Sequence, residues 1–548
     1  MRRAEVMARA GCLCLVVGWA GVFAPGATAQ QQRPARGSSL STQEAPPSST
    51  QTASPSSTQT ARVPSTPPAS PSSTQNSSSA TQAPPSGQSS PSPGAGSPAS
   101  GLAAPPSGQA SPGAGQQQQP DNGERVRTGT SSGLNVDLRL QNLLADHQYF
   151  RIADELDQLP PEQAQLYRGI LANRENDPRR SIALLEPLLD KVTASGDATH
   201  EKMLRKALAE DYLRDGDVAK AAKAYQELEA RAGGKLSSDE WDEIEMPLKM
   251  LPLAVANPPM TVEPCPPFVM QVDRDPLGLT EIPVFVDAVP HRWMLDPTAP
   301  FNLIARSAAR EVGLKVSEEA VTIHTLTGKP MQVHVTVVPR FTIGGRLTLR
   351  NMTAFVFDDA DYFFENTNYH VQGVLGYPAL QALGSVTITG DATVEVDPQR
   401  DAAAEKDAAA RRGAHFFLDG DQIILALGPV GNERMFAVDA AGQQSYLTSR
   451  YYDEHANEFA GQKAQPFTVP GIGREKAQPA YEAETTPLEV GGTTVHAHYI
   501  EVLTQPLGDA ALDDVYGVLG VDVLDQFRRY TFDYRTMRFS VAPEDGAR

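Results

Sequence analysis

Two aspartates, Asp296 and Asp439, each stand at the end of an apolar, strand-like segment and directly before a turn. The first lies in FVDAVPHRWMLDPTAPFNLIARSAAREVGL and the second in NERMFAVDAAGQQSYLTSRYY. Two carboxylates that are held close together cannot both ionise, so one of them keeps a proton. The ionised member can then draw a proton from water while the other donates one. If the fold brings them together, this pair predicts acid–base hydrolysis.

The segments that follow the two aspartates repeat one order of parts. After each aspartate come a turn, a helix-like segment, hairpins and the sequence Gly-Val-Leu-Gly, which ends at Gly376 in the first copy and at Gly520 in the second. The aspartate precedes that last glycine by 80 residues in the first copy and by 81 in the second. Unrelated β segments would rarely share this spacing. We therefore interpret residues 268–400 and 413–543 as two copies of one lobe.

This constellation resembles the pepsin and retropepsin superfamily of aspartic peptidases over about residues 268–543. In that family each lobe has an apolar strand ending in Asp-Thr/Ser-Gly-Ala. An apolar residue follows eight positions after the aspartate, and an apolar-apolar-glycine segment later crosses beneath the catalytic loop. The matching residues are Ile304 and Leu447, and the segments 374–376 and 518–520. The resemblance implies a bilobal, all-β double barrel in which Asp296 and Asp439 form the catalytic dyad.

The turns after the aspartates depart from the family pattern. In place of Thr-Gly, the first copy has Pro297-Thr298 and the second has Ala440-Ala441. The family hydroxyl ties the two catalytic loops together, and the family glycine lets backbone donors approach the carboxylates. Proline lacks an N–H and restricts the residue before it, and a Cβ at a glycine position can force a costly backbone conformation. The residues predicted to support the dyad are Pro297, Thr298, Ala299, Ala440, Ala441 and Gly442, with Gly376 and Gly520 beneath them.

Two functions fit these features. The first is an exported aspartic endopeptidase, weakened by its degenerate turns, that acts on a protein or peptide substrate. The second is a catalytically inactive homologue that binds extended peptides or a protein partner. Two hairpin tips could form flaps over a cleft, although a plain hairpin would look the same: Thr327 and Gly328, and Gly471 and Gly473. The sequence has no His-Glu-x-x-His pairing and no Cys/His cluster, so we predict neither a metal nor a cofactor.

The N-terminal part predicts export. Residues 1–29 have arginines, then an apolar run, then the small-residue site Ala27-Thr28-Ala29, which is typical of a cleaved secretory signal. The apolar run is shorter than the roughly 20 residues that span a bilayer, so we expect no integral membrane segment after cleavage. This favours a secreted or periplasmic protein. The formal net charge of -19 argues against nucleic-acid partners.

The remaining segments are a tether, a helical module and a linker. Residues 30–133 are rich in Ser, Thr, Pro and Gln and have too little apolar surface to fold. Residues 134–251 show helical periodicity and resemble tetratricopeptide repeats, an α module that could hold a protein partner, although an ordinary helical bundle remains an alternative. The matching positions are Tyr212, Gly216, Ala221 and Tyr225. Alanine-rich residues 401–412 link the two lobes.

Overall fold

The computed structural model describes residues 130–542, apart from 233, 235, 298, 325–329, 365–366, 399–412, 421, 440–441, 443, 470–476 and 509. The described residues all belong to one compact unit. The predicted signal sequence, most of the predicted tether and the linker at 401–412 lie outside them. These three predictions remain predictions.

Seven helices open the described part of the chain, and local sequence signals set their ends. The side chain of Asp177 accepts a hydrogen bond from the first turn of the fourth helix, and Gly196 ends that helix with a φ of 74°. Ser237 and Glu240 form a capping box at the start of the seventh. The helices are α1 Thr130–Ala145, α2 Tyr149–Glu155, α3 Pro161–Arg174, α4 Pro178–Ser195, α5 Ala198–Arg214, α6 Val218–Ala232 and α7 Ser238–Ala254.

The helical region extends beyond both predicted ends, 134 and 251. Helix α1 begins at Thr130, about one turn before the apolar pattern that starts at residue 134. Backbone hydrogen bonds hold a helical turn without apolar side chains, so the pattern did not show this turn. At the end of the helical region, Pro252 lies inside α7. A proline there removes a single backbone hydrogen bond and does not stop the helix.

Between α5 and α6, Gly216 has a φ of 84°, and Ala221 is fully buried. The tetratricopeptide resemblance stays a prediction.

The rest of the described chain is mainly β-structure. The strands up to the linker are β1 Thr261–Val262, β2 Phe268–Gln271, β3 Asp273–Arg274, β4 Thr280–Val286, β5 Val289–Leu295, β6 Leu303–Ala305, β7 Val321–His324, β8 Pro330–Ile343, β9 Leu347–Phe357, β10 Phe363–Phe364, β11 Tyr369–His370, β12 Gly373–Leu375, β13 Ser385–Thr389 and β14 Thr393–Asp397. Two short helices lie among them, α8 Arg306–Glu311 and α9 Tyr377–Leu383.

After the linker, the described residues form ten more strands and three short α-helices. The strands are β15 Ala414–Asp419, β16 Gln422–Leu427, β17 Arg434–Val438, β18 Tyr446–Leu447, β19 Gln465–Thr468, β20 Ala477–Val490, β21 Thr493–Leu503, β22 Gly517–Leu519, β23 Arg529–Asp533 and β24 Arg538–Val541. The helices are α10 Ser449–His455, α11 Ala510–Asp513 and α12 Val521–Leu524.

Both lobes repeat one strand order. In the first lobe the order is β9-β6-β12-β5-β4, and in the second it is β21-β18-β22-β17-β16. Read in that direction, neighbouring strands in each lobe pair parallel, antiparallel, parallel and antiparallel. Parallel pairs need long crossover connections, so two independent segments would seldom reach the same arrangement. The duplication inferred from sequence is therefore present in the backbone.

A single sheet joins the two lobes. It contains the strand order β2-β14-β13-β23-β24-β15, with three strands from each side of the linker. At its centre β13 pairs antiparallel with β23, and Thr387 lies opposite Thr531. Their hydroxyl oxygens are 2.8 Å apart. The lobes predicted at 268–400 and 413–543 thus share a hydrogen-bonded sheet.

The first lobe also begins earlier than residue 268. Strand β1 pairs antiparallel with β9 and adds residues 261 and 262 to the sheet of the first lobe. Both of its residues are exposed. A two-residue exposed edge strand carries no hydrophobic alternation, so the sequence pattern could not show it.

The helices pack directly on the second lobe. Leu140 and Ile152 share a hydrophobic cluster with Phe417 of β15, and the rings of Tyr149 and Phe417 have centroids 4.6 Å apart. Beside this cluster Arg174 forms an ion pair with Asp419 at 2.8 Å. The hydroxyl of Tyr149 donates to the same carboxylate at 3.0 Å. The apolar contact and the ion pair together fasten the helices to the end of β15.

None of the helices in the described ranges combines the length and the apolar character needed to cross a bilayer.

Candidate functional site

Asp296 follows the last residue of β5 and is fully buried, with 0% of its surface exposed. Its backbone N–H donates to the carbonyl oxygen of Leu375 at 3.2 Å. Leu375 is the last residue of β12, which pairs parallel with β5. The strand pair therefore fixes where the backbone of Asp296 leaves the sheet.

Asp439 occupies the same place in the second lobe. Its N–H donates to Leu519 at 3.0 Å, and Leu519 ends β22, the parallel partner of β17. Asp439 is partly exposed, unlike Asp296. The two aspartates thus have matching backbone positions and different access to solvent.

The turns after the aspartates also match bond for bond. The N–H of Ala299 donates back to the carbonyl of Asp296 at 3.3 Å, and that of Gly442 donates to the carbonyl of Asp439 at 3.1 Å. The carbonyls of Ala299 and Gly442 then accept from Tyr377 and Val521, each at 2.8 Å. The described residues of the two loops thus make the same backbone hydrogen bonds although the loop sequences differ.

Gly376 and Gly520 lie beneath these loops in one conformation. Gly376 has φ and ψ of -92° and -176°, and Gly520 has -91° and -176°. A Cβ on Gly376 would lie 2.3 Å from the carbonyl oxygen of Phe301, and one on Gly520 would lie 2.8 Å from that of Gly442. Close approach of backbone, and not an unusual φ, is the reason that both positions require glycine.

We expect Gly376→Ala to lower the free energy of unfolding by about 1–3 kcal/mol, because the added methyl meets backbone atoms that cannot move freely. Urea unfolding measures the effect. Gly390→Ala is the matched control, since a Cβ there would come no nearer than 3.5 Å to another atom. Equal stability of the two variants would contradict the close approach.

Two polar residues that the sequence reasoning missed hold the crossing segments. The Oδ1 of Asn302 accepts from the N–H of Gly376 at 3.1 Å. The Oγ of Ser445 accepts from the N–H of Gly520 at 2.7 Å and donates to Asp522 at 2.6 Å. Each stands six positions after its aspartate. A polar residue at the same offset in both copies was a readable signal.

The loop of the first aspartate faces the second lobe. Pro297 lines a small cavity of about 30 Å³ with Val521, Leu524 and Tyr534 from the other lobe. Burial raises the pKa of Tyr534, and its electrostatic interactions with the nearby Tyr377 and Asp296 contribute in the same direction. The position where the family carries a hydroxyl therefore presents a proline ring to a largely apolar wall.

Gly442 supplies a backbone donor to the second carboxylate. Its N–H donates to the Oδ1 of Asp439 at 2.7 Å. A Cβ at Gly442 would lie 2.3 Å from Oδ2 of the same aspartate. Gly442 therefore brings a backbone donor close to the carboxylate of Asp439.

Several predicted site residues belong to the part of the chain that the structure does not describe. Thr298, Ala440 and Ala441 lie outside the described residues, as do the flap candidates Thr327, Gly328, Gly471 and Gly473. The strands that flank the flap candidates are described, and they form the β7–β8 and β19–β20 hairpins in corresponding places. Within the part of the chain that the structure describes, no three His, Cys, Asp or Glu side chains are grouped to hold a metal ion.

Comparison with known proteins agrees with this geometry for the first lobe. The family model described as "Aspartyl protease" matches residues 282–379, which include Asp296 and Gly376. This segment is similar to the aspartyl proteases. The match supports a peptidase-like character for the β-rich region.

A solved structure is also similar, a retropepsin-like aspartic protease from Rickettsia conorii. It shares 15% sequence identity, with a TM-score of 0.18, over 25% of this chain and 92% of that one. No curated protein matches the chain. The strand order and the loop bonds above, rather than this likeness, describe the fold.

Proposed function

We propose that the bilobal region hydrolyses peptide bonds with Asp296 and Asp439 as a dyad, in a double-barrel unit of the aspartic-peptidase type. One observation carries the proposal: the same backbone bonds surround both aspartates, in two lobes that share a sheet. A chance aspartate at a strand end would not have the same set of backbone hydrogen bonds repeated in the other lobe.

The proposed mechanism divides the work between the two acids. The N–H of Gly442 stabilises the ionised form of Asp439. We therefore assign Asp439 as the group that takes a proton from the attacking water. Asp296 then holds the proton and donates it to the carbonyl oxygen of the substrate. Neither step requires a metal or a cofactor.

The test is cleavage of a denatured protein between about pH 3 and pH 6, where one carboxylic acid of a coupled pair is protonated and the other ionised. We expect slow cleavage, because Pro297 removes the hydroxyl tie between the loops. A misplacement of about 1 Å can cost roughly 100-fold in rate. Folded protein that cleaves nothing across this range would refute the peptidase proposal.

A binding protein is the second candidate, favoured by the complete burial of Asp296. In that function the region holds an extended peptide by strand addition, and the helical module recruits a protein partner. Peptide binding without any cleavage would support it.

We also propose that the protein is exported. Ala27-Thr28-Ala29 predicts signal cleavage, so the mature chain should begin at or near Gln30. N-terminal sequencing of the protein recovered from outside the cytoplasm checks this. Recovery of an uncleaved chain in the membrane fraction would contradict it.

A further inference from the structure

A cavity of about 580 Å³ lies where the helices meet both lobes. Its helical walls include Ala145 of α1, Met203 of α5 and Ile244 of α7. The first lobe contributes Pro300 and Phe301, and the turn between β15 and β16 closes the side next to the second lobe. Its volume falls within the roughly 300–1,000 Å³ of small-ligand sites.

The cavity adjoins the loop that carries Asp296. Pro300 and Phe301 stand four and five positions after that aspartate. Tyr377, another wall residue, donates its N–H to the carbonyl of Ala299 at 2.8 Å. The segment that positions the aspartate is therefore also a wall of the cavity.

The charged groups in the wall compensate one another. Arg174 pairs with Asp419 at 2.8 Å and with Glu210 at 3.3 Å. Lys206 pairs with Glu243, and Lys202 pairs with Glu240. Because these charges are matched inside the wall, a charged ligand would have to separate an existing pair. The area left to a ligand is mainly that of apolar side chains.

The geometry points to a binding site for an uncharged, apolar segment of the peptide that the aspartates engage. We infer that the helical module forms this site together with the Asp296 loop and selects substrates with apolar residues on one side of the cleaved bond. The inference rests on the proposed peptidase function for the identity of the ligand. Binding itself can be measured without cleavage.

Two tryptophan substitutions should fill the cavity. Ala145 and Thr199 are exposed on different helices, and both line the cavity. Ala145→Trp and Thr199→Trp each add a ring at the cavity wall and leave the residues of the ion pairs unsubstituted. The matched control is Ala230→Trp, an exposed alanine near the end of α6 that is not a wall residue. Thermal unfolding of each variant shows whether the fold is intact.

The probe is N-acetyl-Leu-Phe-Leu-amide, measured by calorimetry against the full chain carrying Asp296→Asn and Asp439→Asn. We expect Ala145→Trp and Thr199→Trp each to weaken binding by about tenfold or more, and Ala230→Trp to leave it unchanged. The same peptide with lysine in place of both leucines should bind more weakly than the neutral one.

Three results would overturn the inference. They are no binding of the neutral peptide, equal binding by the cavity variants and the unsubstituted chain, and an equal loss in Ala230→Trp. None of them depends on catalysis, because the assay uses the chain with both aspartates replaced. Failure of cleavage in the unaltered protein would instead refute the peptidase proposal and leave a measured peptide site.

Discussion

Replacing Asp296 and Asp439 together by asparagine is expected to abolish acid-pH cleavage of a denatured protein. Asparagine has nearly the size of aspartate, but it neither takes a proton from water nor donates one as a carboxylic acid does. General acid–base catalysis typically contributes about 10²–10⁴-fold to a rate, so the loss should at least reach that range. The measurement is the rate of new amino-terminus formation between about pH 3 and pH 6.

The control for this pair is Asp391→Asn with Asp453→Asn, one exposed aspartate on each side of the linker. It makes the same chemical change away from the loops and should leave the rate unchanged. Each single variant, Asp296→Asn or Asp439→Asn, should be nearly as inactive as the double one, because the two acids act as one unit. Cleavage that persists in the double variant would assign it to a contaminating protease or to another site.

Restoring the family turns forms a second arm of the same experiment. Pro297→Thr with Thr298→Gly, and Ala440→Thr with Ala441→Gly, return the hydroxyl tie and the glycines. The rate should rise if the altered turns limit the peptidase. A folded, restored protein that cleaves nothing, while the unaltered chain binds peptides, would favour the binding function.

Asp419→Asn is expected to lower the free energy of unfolding by about 3–5 kcal/mol, because it leaves Arg174 buried without its main partner. The side chain of Arg174 is only 9% exposed and that of Asp419 only 18%. Burial alone would raise the pKa of Asp419, but Arg174 and His147 outweigh it and hold that pKa well below its usual value. Urea unfolding near pH 7 measures the loss.

The pH dependence of this contact follows from the direction of the shift. A carboxyl whose pKa is lowered by folding contributes its full stabilisation above its ordinary pKa of about 3.9, and loses it as the pH falls through the folded value. The helix–lobe contact should therefore persist over most of the acid range used for the cleavage assay. The loss in free energy of unfolding caused by Asp419→Asn should become smaller only below about pH 4.

The control for the ion pair is Asp157→Asn. Asp157 pairs with Arg168 at 2.9 Å, but its side chain is 95% exposed. Exposed ion pairs contribute about 0–1 kcal/mol, so this variant should be nearly as stable as the unaltered protein. If Asp157→Asn and Asp419→Asn lowered the free energy of unfolding by similar amounts, burial of the Arg174–Asp419 ion pair would not explain its contribution to stability.

The sequence by itself determined the duplication and the positions of its parts. The nearly equal spacing from each aspartate to its Gly-Val-Leu-Gly segment located two strands that pair in parallel in each lobe. Alternating apolar residues located the long strands, because side chains on a strand alternate between its two faces. Helical periodicity located the helical region. These features depend on neighbours along the chain, so they can be read one segment at a time.

Only the tertiary structure decided how distant segments meet. It joined β13 to β23 in a sheet shared by both lobes. It turned Pro297 toward the second lobe, and it paired Arg174 with Asp419. It also showed that Gly442 approaches a carboxylate although the family places its glycine one position earlier. Each contact joins groups whose distance depends on the path of the backbone through the whole fold, and side-chain order alone does not specify that path.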